Sequence, residues 1–162
     1  MSVSRRGFLR GHFRSEGNTM RPPWAVTPDF ESLCTRCGDC LAACPTRVIQ
    51  TGGGGFPVID FEHGECTFCH ACVAACKPAA LFRDPDSPAT AWPWRVVVAQ
   101  ACLAAAGVEC RVCGEACGVG AIRFRPRMGG VPLPQLDADA CTGCGACFGP
   151  CPVRAISMES RQ

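Results

Sequence analysis

The stretch Cys34-Thr35-Arg36-Cys37-Gly38-Asp39-Cys40-Leu41-Ala42-Ala43-Cys44-Pro45 decides the fold of this chain, because its four cysteines follow the spacing C-x2-C-x2-C-x3-C. The same spacing returns in two further quartets, one in the middle of the chain and one near its end: Cys66, Cys69, Cys72 and Cys76, then Cys141, Cys144, Cys147 and Cys151. A remaining quartet keeps the last two intervals, whereas its first cysteine lies five residues further away: Cys102, Cys110, Cys113 and Cys117. These sets, numbered first to fourth in chain order, account for all 16 cysteines of the 162 residues.

Cysteine quartets at this spacing are typical of 4Fe-4S clusters, in which four thiolates bind the corners of an iron-sulfur cube. Three cysteines at x2 intervals wrap three corners from one tight loop. Small residues such as Gly38, Gly143 and Gly145 let the backbone of that loop approach the cluster. We therefore predict four 4Fe-4S clusters, with all 16 cysteines as ligands.

The final cysteine of each quartet has two possible assignments. In paired ferredoxins the fourth cysteine of one run completes the cluster of the other run. This crosswise partition assigns Cys44 to the second quartet, Cys76 to the first, Cys117 to the fourth and Cys151 to the third. In the alternative, each quartet binds its own cube with the same 16 ligands.

Zinc is the alternative metal for such cysteines. A structural zinc site usually takes two C-x2-C pairs that are held apart by a longer loop. Here the four cysteines of a regular quartet fall within eleven residues, and the pattern is repeated. This spacing favours a cube over a single zinc ion.

An apolar pair follows every quartet at the same distance and links the irregular third quartet to the others. The pairs lie four and five residues after the final cysteine: Val48-Ile49, Ala80-Leu81, Ala121-Ile122 and Ala155-Ile156. A chance cluster of cysteines would not carry this pair, so we interpret the third quartet as a modified copy of the same unit. The alternative left open is that its site is vestigial or labile.

The repeats group in twos, which predicts an α+β fold: tandem bacterial 2[4Fe-4S] ferredoxin-like halves, loop-rich, with short helices and β-hairpins. Hairpins are expected over residues 48–60 and 121–136, each around a glycine turn, with prolines keeping the second hairpin at an edge. A short helix is expected to begin at the final cysteine of a quartet. The longest helix is expected over Val96–Ala106, which is rich in alanine and valine and is stopped by Gly107.

The predicted organisation has five parts: an N-terminal arm (1–29), a first half (30–82), a proline-rich connector (83–94), a second half (95–158) and a tail (159–162). The arm contains Ser4–Arg10, which resembles the twin-arginine export motif. A working signal needs an apolar stretch of roughly 7–15 residues directly afterwards, but residues 11–23 contain two arginines, a glutamate and two prolines. Export is therefore not expected, and in the cytoplasm cysteine clusters indicate metal rather than disulfides.

Charge and motifs exclude several classes of function. The formal net charge of +2 is too small to indicate a nucleic-acid partner. No segment reaches the roughly 18 consecutive apolar residues of a membrane span. The sequence shows no nucleotide loop, no Ser/His/Asp arrangement and no flavin or nicotinamide fingerprint, so we do not expect an enzyme.

Specific phrases of the sequence carry a family resemblance. Cys44-Pro45 and Cys151-Pro152 match the trailing proline of bacterial ferredoxins. The start Ser4-Arg5-Arg6-Gly7, the order of the quartets and the phrase from Cys102 to Phe124 resemble the NapF family of ferredoxin-type proteins, accessory proteins of periplasmic nitrate reductase systems. The similarity covers nearly the full length.

The resemblance implies cytoplasmic work on the nitrate reductase catalytic subunit before its export, in inserting or adjusting that subunit's own cluster. It therefore implies that catalytic subunit and a redox partner protein as partners. Two other functions remain open. One is a general electron-transfer ferredoxin or an electron-transfer subunit of a respiratory reductase, and the other is a zinc-stapled interaction module.

Overall fold

The computed structural model describes residues 19–86 and 91–160. The predicted Ser4–Arg10 motif of the arm, residues 87–90 of the predicted connector and residues 161–162 of the predicted tail lie outside the described residues.

The first half consists of short elements around two cysteine loops. Helix α1 (Phe30–Leu33) precedes the first quartet and α2 (Asp39–Ala43) lies within it. Strands β1 (Ile49–Thr51) and β2 (Pro57–Ile59) flank a short 3-10 turn (Gly53–Gly55), and α3 (Ala71–Ala75) lies within the second quartet. Since β1 and β2 pair antiparallel, with Ile49 opposite Ile59, the predicted hairpin is confirmed.

The second half combines a hairpin with a sheet formed by its first and last strands. Its elements are β3 (Trp94–Val98), α4 (Val112–Glu115), β4 (Ile122–Arg127), β5 (Gly130–Leu136) and β6 (Ile156–Ser160). Strands β4 and β5 form the predicted hairpin, with an irregular register between Arg125 and Arg127. The intervening Pro126 has no N–H to donate to the ladder, which accounts for the break.

The prediction of a long helix over Val96–Ala106 is wrong. Val96 to Val98 belong to β3, which pairs antiparallel with β6 so that Val98 lies opposite Ile156, and the residues that follow form turns. β-Branched residues suit a strand once a partner strand is present. That partner lies at the far end of the second half, so local composition does not reveal it.

The prediction that a helix begins at each final cysteine is also wrong. Helices α2 and α3 end immediately before Cys44 and Cys76, and the N–H groups of these cysteines donate to the carbonyls of Leu41 and Val73. The final cysteine therefore closes the helix of its own loop. Beyond it the chain turns and the apolar pair follows.

The apolar pairs form the centres of two small cores. The first core joins Val48, Ile49, Ala80 and Leu81 to Phe30, Phe61 and Trp92, and the second joins Ala121, Ile122 and Ile156 to Val96. Every member of the four pairs is at most 5% exposed. Short helices and hairpins around two cores, with cysteines packed into both, confirm the loop-rich α+β fold.

Candidate metal centres

The first three cysteines of the first quartet line a cavity together with a cysteine of the second quartet. Cys34, Cys37, Cys40 and Cys76 surround a cavity of about 220 Å³. Burial, together with the nearby sulfurs of Cys72, Cys34 and Cys76, raises the pKa of the Cys40 thiol to about 11. We call this site A.

The reciprocal grouping occurs at the second quartet. Cys44 lines a pocket with Cys66, Cys69 and Cys72, which we call site B. Burial raises the pKa of both the Cys66 and the Cys72 thiols to about 11, and the Cys44 sulfur adds to both shifts. Thus each loop of the first half contributes three cysteines to one site and its last cysteine to the other.

The second half repeats this exchange. Cys117 lines a pocket with Cys141, Cys144 and Cys147, which we call site C, and burial raises the pKa of the Cys147 thiol to about 12.

The remaining four cysteines are the set that the crosswise partition assigns to the third quartet: Cys102, Cys110, Cys113 and Cys151. Burial raises the pKa of the Cys113 thiol, and the sulfurs of Cys102, Cys110 and Cys151 add to the rise. We call this group site D; two of its members, Cys113 and Cys151, pack in the second core. The cavities at sites A, B and C thus bring 12 of the 16 predicted cysteines into the groups that the crosswise partition requires, whereas the fourth group and cluster ligation itself stay predictions.

Left-handed backbone shapes the cysteine loops. Residues on both sides of the second cysteine have positive φ in the three regular quartets: Arg36 and Gly38, Phe68 and His70, Gly143 and Gly145. Such residues curl the chain sharply, which turns successive cysteines and amides toward one concave side. The third quartet departs here, because α4 begins directly after Arg111, whose φ is −132°.

Behind the final cysteine all four repeats have the same turn, including the third. The residue three positions later has a positive φ in each: Arg47, Ala79, Gly120 and Arg154. This turn brings the amides of the apolar pair back to the sulfur. The N–H of Ala121 lies 3.2 Å from Cys117 Sγ, that of Ala155 lies 3.2 Å from Cys151 Sγ, and that of Leu81 lies 3.3 Å from Cys76 Sγ.

Cys44 shows the effect of these donors on a thiol. Burial alone would raise its pKa, but hydrogen bonds from the Thr46 hydroxyl and from the amides of Ile49 and Val48 bring the pKa below its ordinary value. Donors of this kind favour the thiolate form that binds iron. The sequence signals the pair by its constant position, but its role as a sulfur partner was not predicted.

The donor chemistry fits a 4Fe-4S cluster at these sites. Each proposed site has four cysteine sulfurs and includes at least one buried cysteine, and at least one sulfur at each of sites A, C and D accepts a backbone N–H. In residues 19–86 and 91–160 no group of three His, Cys, Asp or Glu side chains is placed to hold a single metal ion. A tetrahedral zinc site would instead need four ligand atoms at about 2.0–2.3 Å from one point.

Family comparisons match both halves. A family model described as a 4Fe-4S dicluster domain matches residues 29–81, and a second model with the same description matches residues 108–155. Two dicluster domains imply four 4Fe-4S clusters. The fold and the cysteine sites thus define a ferredoxin-type iron-sulfur protein, a class that carries electrons rather than catalysing a reaction.

The similarity to individual proteins extends over the whole chain. The chain is 44% identical over 160 residues to the ferredoxin-type protein NapF of Escherichia coli K12, covering 98% of this chain and 96% of the relative. It is also 44% identical over 169 residues to NapF of Haemophilus influenzae, covering 98% and 94%. The ferredoxin-type protein NapG of Escherichia coli K12 is 31% identical over 153 residues, covering 83% and 66%. The chain belongs to the NapF family of ferredoxin-type proteins.

In the described part of the chain, no helix has the length and apolar character needed to cross a membrane.

Proposed function

We propose that this chain holds four 4Fe-4S clusters through its 16 cysteines and transfers single electrons through them. Sites A, B, C and D are the proposed ligand sets, and residues 30–82 and 95–158 are the proposed cluster-binding halves. The observation that supports this most directly is the lining of the cavities at sites A, B and C, where each site combines three cysteines of one quartet with the last of another.

The chain's own residues set the conditions for electron transfer. When bound, a cube accepts and returns one electron with little change in its ligands. Burial of Cys40, Cys72, Cys113 and Cys147 limits water at the sites. Amides that donate to Cys76, Cys117 and Cys151 stabilise negative charge on these sulfurs. Hydrogen bonds to sulfur and exclusion of solvent are two determinants of cluster potential.

We further propose that the electrons serve the maturation of a periplasmic nitrate reductase catalytic subunit, in the cytoplasm and before its export. Support comes from 44% identity to NapF proteins over 98% of the chain. The Ser4-Arg5-Arg6-Gly7 start, which resembles an export motif without the apolar stretch, is proposed as a docking segment for that subunit.

Cluster content tests the chemistry. After anaerobic purification we expect about sixteen irons and about sixteen acid-labile sulfides per chain, because each of four cubes contains four of each. Folded, colourless protein that contains zinc and no inorganic sulfide would refute the cluster proposal and support the zinc-stapled module instead.

Capture from nitrate-respiring cells tests the maturation role. We expect the catalytic subunit to be retained by the intact chain and lost with Arg5→Ala/Arg6→Ala. An Arg14→Ala variant, which lies outside the motif, is the matched control. Absence of the subunit from the wild-type eluate, together with unchanged nitrate reduction in the double variant, would argue against this role.

A general electron carrier, or an electron-transfer subunit of a respiratory reductase, is the second candidate function. It is favoured by the exposure of Cys37 and Cys69, which places one ligand of site A and one of site B at the surface. This function predicts rapid reduction by a physiological donor and loss of turnover when one cluster is removed. It does not predict that nitrate reduction depends on Arg5 and Arg6.

A further inference from the structure

The second and fourth cysteine loops are in direct contact. The backbone N–H of Cys66 donates a hydrogen bond to the carbonyl oxygen of Cys144, with the two atoms 2.8 Å apart. Cys66 belongs to site B in the first half, and Cys144 belongs to site C in the second half. Proposed ligands of two different clusters, far apart in the chain, are therefore neighbours through one hydrogen bond.

Aromatic side chains pack against the residues on either side of Cys144 in the chain, and the rings of Phe61 and Trp92 contact each other edge to face. Phe61 packs so closely on Gly145 that a Cβ there would lie 2.0 Å from Cδ1 of its ring, and the ring centroid of Phe61 lies 6.1 Å from that of Phe148. Before Cys144 in the chain, Trp92 Nε1 donates to the carbonyl oxygen of Thr142 at 3.2 Å.

A peripheral ion pair also connects the two halves: Arg154 Nη1 in the second half lies 3.4 Å from Glu62 Oε1 in the first half. Both side chains are more than half exposed, so this pair adds little stability. The buried rings and the backbone hydrogen bond hold the two loops in one relative position.

We propose that the Cys66–Cys144 contact joins the two halves into one ordered electron-transfer chain, in which B and C are the inner sites and A and D the outer ones. This inference rests on the cluster ligation proposed above. The exchange of final cysteines in the first half makes A a neighbour of B. In the second half, Cys113 and Cys151 of site D pack in the same core as Cys117 and Cys147 of site C, which makes C a neighbour of D. The order between the halves follows from the contact just described.

This series of four sites allows an electron that enters at one half of the protein to leave at the other half. In each step a reduced cluster loses one electron and its oxidised neighbour gains that electron, and no bond is made or broken and no proton moves. A continuous route between the halves runs from Cys66 Sγ through its Cβ and Cα to the amide. From there it crosses the hydrogen bond to Cys144. Electron transfer weakens steeply with distance, so this contact determines whether the halves act together.

Removal of the outer clusters tests the inner pair. The full-length double variant Cys37→Ala/Cys110→Ala retains every ligand of sites B and C, so we expect about eight irons per chain. After reduction with dithionite we expect its electron paramagnetic resonance spectrum to show broadened and split lines from two interacting clusters. The matched control Cys69→Ala/Cys110→Ala leaves sites A and C, which are not neighbours in the proposed order, and should show a much weaker interaction.

The outcomes separate this inference from the ligand assignment. About eight irons with two isolated, unsplit signals in the first variant would overturn the proposed order while leaving the ligands intact. Fewer than about eight irons would instead contradict the ligand sets. In that case the fully loaded protein provides the test, through Gly145→Ala against Gly38→Ala. If the split lines of the electron paramagnetic resonance spectrum change only in Gly145→Ala, the contact is supported. If these lines are unchanged in both variants, the contact is refuted.

Discussion

The packing of Phe61 on Gly145 predicts that a side chain at position 145 destabilises the contact between the two halves. In Gly145→Ala, the new Cβ would lie 2.0 Å from Cδ1 and 2.2 Å from Cε1 of Phe61, whereas real Cβ contacts are essentially never under 3.0 Å. The chain offers a matched control at the same loop position. Gly38 also follows the second cysteine of its quartet and has φ +83°, against +82° for Gly145, but nothing lies within 4 Å of a Cβ there.

The two substitutions share one cost and differ in another. Alanine in left-handed backbone costs about 1–2 kcal/mol at either position. At Gly145 the ring of Phe61 must also move by about 1 Å, and forced repacking of this kind costs about 1–3 kcal/mol. We therefore expect Gly145→Ala to be more destabilising than Gly38→Ala by about 1–3 kcal/mol.

The measurement is the rate at which the holoprotein loses its clusters on mild anaerobic heating, followed by visible absorbance. Cluster loss makes unfolding irreversible, so a rate is the appropriate quantity. The expected energy difference corresponds to a roughly 5- to 150-fold faster loss in Gly145→Ala than in Gly38→Ala. In a Phe61→Ala background the difference in rate between Gly145→Ala and Gly38→Ala should disappear, because the ring that causes the steric clash is absent. Equal rates for the two glycine variants, or a difference that persists without the Phe61 ring, would refute the packing argument.

Three further predictions follow from the sites. If Cys76 and Cys34 serve one cube, the double alanine variant should lose no more iron than either single variant, about four irons per chain. A loss of about eight irons would support separate cubes for the first two quartets. Trp92→Phe removes the hydrogen bond to the Thr142 carbonyl, worth about 0.5–1.5 kcal/mol, so cluster loss should be roughly 2- to 12-fold faster; an unchanged rate would show that this bond is not made in solution. Removal of iron by a chelator should abolish the far-ultraviolet circular dichroism of the fold, since the cores are small and include the ligands. An unchanged spectrum in iron-free protein would contradict a cluster-dependent fold.

Local signals in the sequence were sufficient to predict most of each repeat. Cysteine spacing is a local signal, and the grouping of cysteines around the cavities of sites A, B and C agrees with the partition expected for paired ferredoxins. The pair Ala121-Ile122 identified the third repeat despite its irregular first cysteine. The structure shows why, because the same left-handed turn and buried pair follow all four final cysteines.

Other features depend on contacts between distant parts of the chain. Val96 to Val98 form a strand because β6 pairs with them, although the alanines that follow in the sequence favour a helix. Gly143 and Gly145 look in the sequence like ordinary glycines of a cluster loop. Only the tertiary structure shows that Trp92 and Phe61 occupy the space a side chain would need.

The sequence by itself was enough to predict four cluster sites, a set of cysteine ligands for them and a two-half repeat, because these depend on residues a few positions apart. Only the tertiary structure decided which loops of the two halves meet. That choice depends on the packing of Phe61 and Trp92 on a loop far along the chain, and on a backbone hydrogen bond between Cys66 and Cys144 that no side chain encodes.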